Sequence, residues 1–176
     1  TFGNDLVMMW NGTIPAVENQ HTGMRPYQLT PGDEDAIRAL PQVRDVTGYL
    51  QRGDLYQVSA YGNTSGGVLG VEPNYSKVRF MPVAEGRFIS AADEAERRRV
   101  VVLGSKSATL LFPGRPMLGE TITINNVAFT VVGQLGSISR GNNDGDNQKL
   151  YIPRSIMLQS FAMKGDNVAQ DALSSI

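Results

Sequence analysis

The chain has 176 residues, of which 41% are apolar and 19% charged, and a formal net charge of −1. That length can bury a core as one domain or two small lobes, and the near-neutral balance leaves no electrostatic footprint for nucleic acid or an anionic membrane surface. With no cysteine, disulfide frameworks and thiolate-held zinc or iron–sulfur centres are excluded, while the compartment stays open.

The first residue is Thr1 rather than Met, and no apolar run reaches the roughly 18–20 residues that span a bilayer. The expectation is an internal start, a piece of a longer protein. Asp5 to Trp10 (DLVMMW) then predicts a strand buried on both faces. Met8, Met9 and Trp10 read there as core rather than as an adaptable apolar binding site. Asn11 to Met24, with Gly, Asn, Thr, His21 and Pro15, reads as a loop. Thr30-Pro31-Gly32-Asp33 opens a helix. Thr is a good N-cap, Pro suits the first helical position, and the acids at 33 to 35 complement the positive helix start. Ala36, Ile37 and Leu40 form its apolar stripe, Pro41 stops it, and Val43 to Tyr49 predicts a strand.

Asp54 to Tyr61 alternates as a half-buried strand does, and Val68 to Val71 is a short apolar strand closed by Glu72-Pro73-Asn74-Tyr75. Beyond it come the turn Glu85-Gly86-Arg87 and a capped helical turn, Ser90 to Glu96. Residues 100 to 133 form the most legible stretch. A buried-type strand, Val100 to Leu103, leads through Gly104 into a helix, Ser105 to Phe112. The turn Pro113 to Pro116 follows, then a hairpin around Asn125-Asn126. Ser137 to Asn147 reads as a flexible surface loop, Lys149 to Ile152 as a last strand, and Ile156 to Phe161 as a helix. Strands outnumber helices and hairpins outnumber crossovers, so the class expected is α+β.

Residues in patterns that carry reactive chemistry are few. His21 stands alone in a polar loop and reads as solvated. The segment Asn142 to Asn147 invites a calcium reading, but with Asn142 at position one the twelfth position falls on Pro153, where a bidentate Glu is required. Gly104-Ser105-Lys106-Ser107 lacks the second glycine of a nucleophile elbow, and Ser105 reads as a helix cap. The glycines at 66, 67, 133 and 136 lack the G-K-[ST] of a phosphate-binding loop. Asp93 to Arg99 (DEAERRR), acids first and arginines last, reads as a dipole-matched solvated surface rather than a partner patch. The expectation is therefore no catalytic, cofactor-binding or metal-ligating residue and no enzyme.

Several phrases in order carry a family resemblance. Leu29-Thr30 with Asp35-Ala36-Ile37 and Leu40-Pro41-Gln42-Val43 resembles the opening of the extracytoplasmic domain of MacB-like ABC-transporter permeases. Gly70-Val71-Glu72-Pro73-Asn74-Tyr75, Glu85-Gly86-Arg87-Phe88 with Asp93, and Val101-Val102-Leu103-Gly104 with Leu111-Phe112 are similar to later elements of it. So are Leu118-Gly119-Glu120-Thr121-Ile122, Phe129 to Gly133, and Tyr151-Ile152-Pro153. Each phrase encodes generic turn chemistry; their order over residues 29 to 153 is what resembles the family.

The resemblance implies two lobes. A porter-like β-α-β lobe would hold residues 1–77, a β-rich inserted lobe with short helices residues 78–155, and 156–176 would return toward a first lobe left incomplete. It implies a bacterial inner-membrane transporter whose flanking helices cross the membrane, with this domain on the extracytoplasmic side. The domain would couple cytoplasmic ATP hydrolysis to conformational change in efflux or mechanotransmission. Partners implied are an ABC ATPase subunit or domain and a periplasmic adaptor or outer-membrane protein, docking on loops such as Asn11 to Met24 and Ser137 to Asn147, with no nucleic acid. Two competing readings are a soluble metal- or small-molecule-binding domain built on the Asp144/Asp146 loop, and a periplasmic adaptor or scaffold with no transporter of its own.

Overall fold

The computed structural model describes residues 6–15, 23–139, 145–162 and 173–176. Strands β1 (Gly12–Pro15) and β2 (Met24–Tyr27) pair antiparallel as a small ribbon, where a loop was expected. Helix α1 (Pro31–Arg38) follows, then β3 (Leu50–Arg52), β4 (Gln57–Val58), β5 (Asn63–Thr64) and β6 (Val68–Val71). Two short helices, α2 (Tyr75–Val78) and α3 (Ala91–Ala95), flank β7 (Val83–Gly86). The remainder is β8 (Val100–Leu103), α4 (Ser105–Leu111), β9 (Thr121–Ile124), β10 (Val127–Leu135), a 3-10 turn (Gly145–Gln148), β11 (Leu150–Pro153) and α5 (Arg154–Ser160). The α+β class expected from the sequence is the class observed.

Apart from the ribbon, the strands form one curled sheet in the order β3-β6-β11-β8-β10-β9-β4-β5, with β7 added beside the far end of β10. β6 with β11 and β8 with β10 run parallel; the other neighbours are antiparallel. The central strands are buried on both faces, which is why they read as unbroken apolar runs. Val68, Val101, Leu103, Leu150 and Ile152 face a core closed by Ala108 and Leu111 of α4 and Ile156 and Met157 of α5. Leu69, Val102 and Tyr151 face the opposite core with Tyr75, Met81, Ile89 and Ile138.

β10 serves both cores because it contains a bulge. Its register against β8 slips between Val131 and Gly133. Val131 therefore lies in the first core and Leu135, four residues on, in the second, although strict alternation would put both on one face. Gly133 makes the bend possible, since a Cβ there would sit 2.0 Å from the Arg87 carbonyl oxygen.

Several expectations are corrected. Residues 6–9 form no strand and Trp10 makes an isolated bridge; Val7 is 80% and Trp10 65% exposed, so this segment is not core. Residues 1–5 lie outside the described residues. The predicted strand from Val43 begins only at Tyr49, which bridges Ser175. Residues 54–61 supply just the two-residue β4. Ser105 does not cap α4: Gly104 is its N-cap, and the Ser105 hydroxyl donates instead to Asn147 Oδ1 at 3.0 Å.

Candidate functional site

Helix α1 begins as its sequence predicts. Thr30 caps it in a reciprocal box, its hydroxyl accepting from the Asp33 N–H while its own N–H donates to Asp33 Oδ2 at 2.8 Å. The expected apolar stripe is not what attaches it. Ala36 and Leu40 are exposed and Ile37 is half-buried, while Glu34, 1% exposed, is the residue α1 buries.

Glu34 is held from three sides. Its Oε1 accepts from the Gly48 N–H at 3.1 Å and from Arg38 at 2.8 Å, and its Oε2 accepts from Arg154 Nη1 at 2.8 Å. Arg154, the first residue of α5, also donates to the Gly48 carbonyl at 3.3 Å and to Glu72 Oε1 at 2.6 Å. Glu72 directly follows β6, and its other oxygen lies 3.8 Å from Arg38. Gly48 is required by close approach: a Cβ would stand 2.6 Å from Leu173 Cδ1 and 2.8 Å from Glu34 Oε2. The partly buried guanidinium of Arg154 thus joins α1, the Gly48 loop, the end of β6 and the start of α5.

The electrostatics divide the two acids. Burial opposes ionisation of Glu34, yet the hydrogen bond and charge of Arg154 hold its carboxyl below the usual carboxylate range. Burial pushes Glu72 up to about 7; Arg154 opposes this, and the adjoining Glu34 carboxyl adds to it. None of Glu34, Arg38, Gly48, Glu72 and Arg154 carries a site signal of its own in the sequence. Glu34 looked like a dipole-matching acid and Glu72 like part of a strand-closing turn. The Glu34–Arg38 spacing of four was the one local signal, and the Glu34–Arg154 contact spans 120 residues.

The other charged groups singled out serve structure. Asp93, expected on a solvated face, is fully buried: it completes the Ser90 capping box and accepts from Arg87 at 2.5 Å. Asp146 pairs with Lys149 at 2.8 Å and lies 3.7 Å from Arg79, so its carboxylate already faces two cations. Asn147, read as part of a flexible surface loop, is buried and clasps Ile138 through both backbone groups, at 2.7 and 2.8 Å. Asp144 and His21 lie outside the described residues. No group of three or more metal-ligating side chains occurs among the described residues, and nothing supports the Asp144/Asp146 metal reading. A cleft of about 440 Å³ between α4, the 113–117 turn and β10 has Glu85 and Arg115 as its charged lining residues.

The model of the MacB-like periplasmic core domain matches residues 2–174. The macrolide export ATP-binding/permease protein MacB of Marinobacter nauticus is 32% identical over 159 residues, covering 87% of this chain and 23% of the relative. The pyoverdine export ATP-binding/permease protein PvdT of Pseudomonas aeruginosa is 36% identical over 127 residues, 70% of this chain and 19% of the relative. The chain therefore spans about a quarter of the length of such relatives. Among solved structures, the periplasmic region of MacB from Actinobacillus actinomycetemcomitans superposes with a TM-score of 0.72 at 20% identity, covering 96% of this chain and 71% of that one. The extracellular domain of the transporter YknZ from Gram-positive bacteria gives 0.73 at 18% identity, covering 96% and 81%. Both share the fold. With the family model running nearly end to end over the chain whose curled sheet and short helices those structures reproduce, the chain belongs to the MacB-like periplasmic core domains.

Proposed function

We propose that this domain transmits movement on the extracytoplasmic side of an ABC-transporter permease, driven by ATP hydrolysis in a separate cytoplasmic domain or subunit. The observation that carries this is mechanical. Met9 and Ile176 exchange two backbone hydrogen bonds, at 2.9 and 3.0 Å, and Tyr49 continues the ladder through Ser174 and Ser175. The Glu34–Arg154 junction then joins this region to β6 and α5. Displacement of either flanking segment is passed to the central sheet through bonded contacts. Residues 1–77 and 156–176 would act as the porter-like lobe and 78–155 as the inserted lobe.

The relatives export a macrolide or pyoverdine by name, and export is the part they share. A periplasmic adaptor or outer-membrane partner would dock on the Asn11 to Met24 region, where Met24 presents an exposed side chain. The test uses the parent transporter in lipid nanodiscs. With the parent's cysteines outside this chain replaced, Leu40→Cys, exposed just beyond the end of α1, takes an environment-sensitive fluorophore. Emission should differ between the nucleotide-free and vanadate-trapped states. Identical emission in both states, with ATP still being hydrolysed, overturns the proposal.

A further inference from the structure

The first core is open at one end. The register slip in β10 that turns Leu135 into the second core leaves Gln134, a polar side chain, on the side of α4. There the core runs out into the cleft of about 440 Å³, whose floor is Ala108, Phe112 and Met117, all buried members of that core. The walls are polar. Glu85 and Gln134, register partners on the sheet, stand on one side and Arg115 of the 113–117 turn on the other. Among the described residues neither Glu85 nor the Gln134 amide group has a side-chain partner, and Arg115 has no carboxylate. Other exposed arginines differ, since Arg38, Arg44, Arg87 and Arg98 each face an acid. The Arg115 guanidinium lies instead 4.4 Å from the centre of the Tyr61 ring, which holds it in place and leaves its N–H fork for a carboxylate. Exposed apolar side chains border the mouth: Leu110 beside Thr109 on α4, Leu118 beside Met117, and Tyr61 under Arg115. An apolar centre within a polar and charged rim is the make-up of a protein interface.

We propose that this cleft docks an exposed segment of a partner protein, one that carries an apolar side chain between a basic and an acidic residue. The apolar side chain lies on Phe112 and Met117, the basic group meets Glu85, and the acidic group meets the Arg115 fork. The Gln134 amide, both donor and acceptor, takes the backbone of the segment.

Side-chain insertion, not strand addition, is the mode. The edge strand β7 has four residues, follows Pro82, breaks register against β10 and carries the charge of Glu85, all of which blunt an edge. An open cleft of this size holds a few residues and binds them weakly, which suits one contact of a larger interface better than capture of a free peptide. The inference goes beyond the transport reading, because it needs neither nucleotide nor movement of the domain.

Titration of the ¹⁵N-labelled chain with capped tripeptides tests the site, with amide shifts as the readout. Lys-Leu-Glu and Glu-Leu-Lys, each acetylated and amidated, present the pattern in both directions. At low salt at least one should shift the amides of Thr109, Phe112, Arg115 and Gln134 saturably, with a Kd on the order of 1 mM. Capped Gln-Leu-Gln and Lys-Ala-Glu should bind several-fold more weakly. Glu85→Gln and Arg115→Gln, both at exposed positions, should each weaken the better peptide roughly two- to fivefold. Thr109→Trp, also at an exposed position, fills the cleft and should abolish the shifts. The proposal is overturned by the absence of saturable shifts at the cleft with either peptide, by equal affinity for Gln-Leu-Gln, or by undiminished binding in T109W. Tighter binding of uncapped Ala-Leu-Ala, whose only charges are its termini, overturns it as well, because the ligand is then a free peptide. Should T109W fail to fold by far-UV circular dichroism, E85Q and R115Q decide.

Discussion

Asp93 shows how one buried side chain can do two jobs. Its carboxylate accepts from the Ser90 N–H at 2.8 Å, so capping α3, and receives Arg87 at 2.5 and 3.2 Å. Burial works against its ionisation, but Arg87 and Ser90 bring the carboxyl down to about 2. A lowered group contributes stability that is present above its ordinary value of 3.8 and is lost as pH falls through about 2. Asp93→Asn should therefore cost about 1–2 kcal/mol at pH 7, measured by urea unfolding, and should lose less of its melting temperature than the unsubstituted chain between pH 4 and pH 2. The capping box was legible because Ser90 and Asp93 stand three residues apart. The burial of Asp93 was not, because Arg87 and the turn that brings it close belong to the tertiary fold. Asn147 offers a second test. Asn147→Ala removes the partners of both buried backbone groups of Ile138 and should destabilise the chain by roughly 2 kcal/mol in the same urea experiment.

At the scale of elements, legibility followed local chemistry. The hairpin β9–β10 turns through Asn125 and Asn126 with φ of 46° and 68°, the positive values that a two-residue hairpin turn demands. Asn126→Gly relieves the second of these and should raise the urea midpoint, by about 0.5 kcal/mol in stability; a lowered midpoint would show that the Asn126 side chain holds the turn. Strands β6, β8 and β11 were readable because burial on both faces leaves no polar interruption. Strand β4 lies inside the alternating stretch Asp54 to Tyr61, of which only the two residues that meet the edge of β9 pair, and the two-residue β5, which carries no periodic signal, pairs with β4 in turn. The bulge in β10 was equally silent: a change of face after Val131 is a consequence of β7 and β8 both pairing with that strand.

At the scale of the molecule, residues remote in sequence close one structure. Leu173 is buried against Leu29 and Gly48, and its N–H donates to the Leu29 carbonyl at 2.7 Å. Leu173→Ala should cost about 2–4 kcal/mol by urea unfolding, since the cavity lies at a glycine that cannot move inward. Trp10, the single tryptophan, bridges Ser175 and reports on the same region. Its emission should shift on L173A if the ladder of residues 173–176 loosens before the central sheet unfolds, and should track global unfolding if the two are one cooperative unit.

Local signals were written in the amino-acid order: helix caps at Thr30 and Ser90, the Asn125-Asn126 turn, the doubly buried strands, and the ordered phrases that resemble one family. These depend on neighbours within a few residues, and backbone sterics, capping and hydrophobic pattern act at that range. The tertiary structure alone decided which charges are buried and with whom. Glu34, Glu72 and Arg154 are ordinary surface residue types, and they became a junction because the sheet brings the start of α5 beside the end of β6 and under α1. Burial and electrostatic coupling depend on proximity in space, which sequence spacing does not encode.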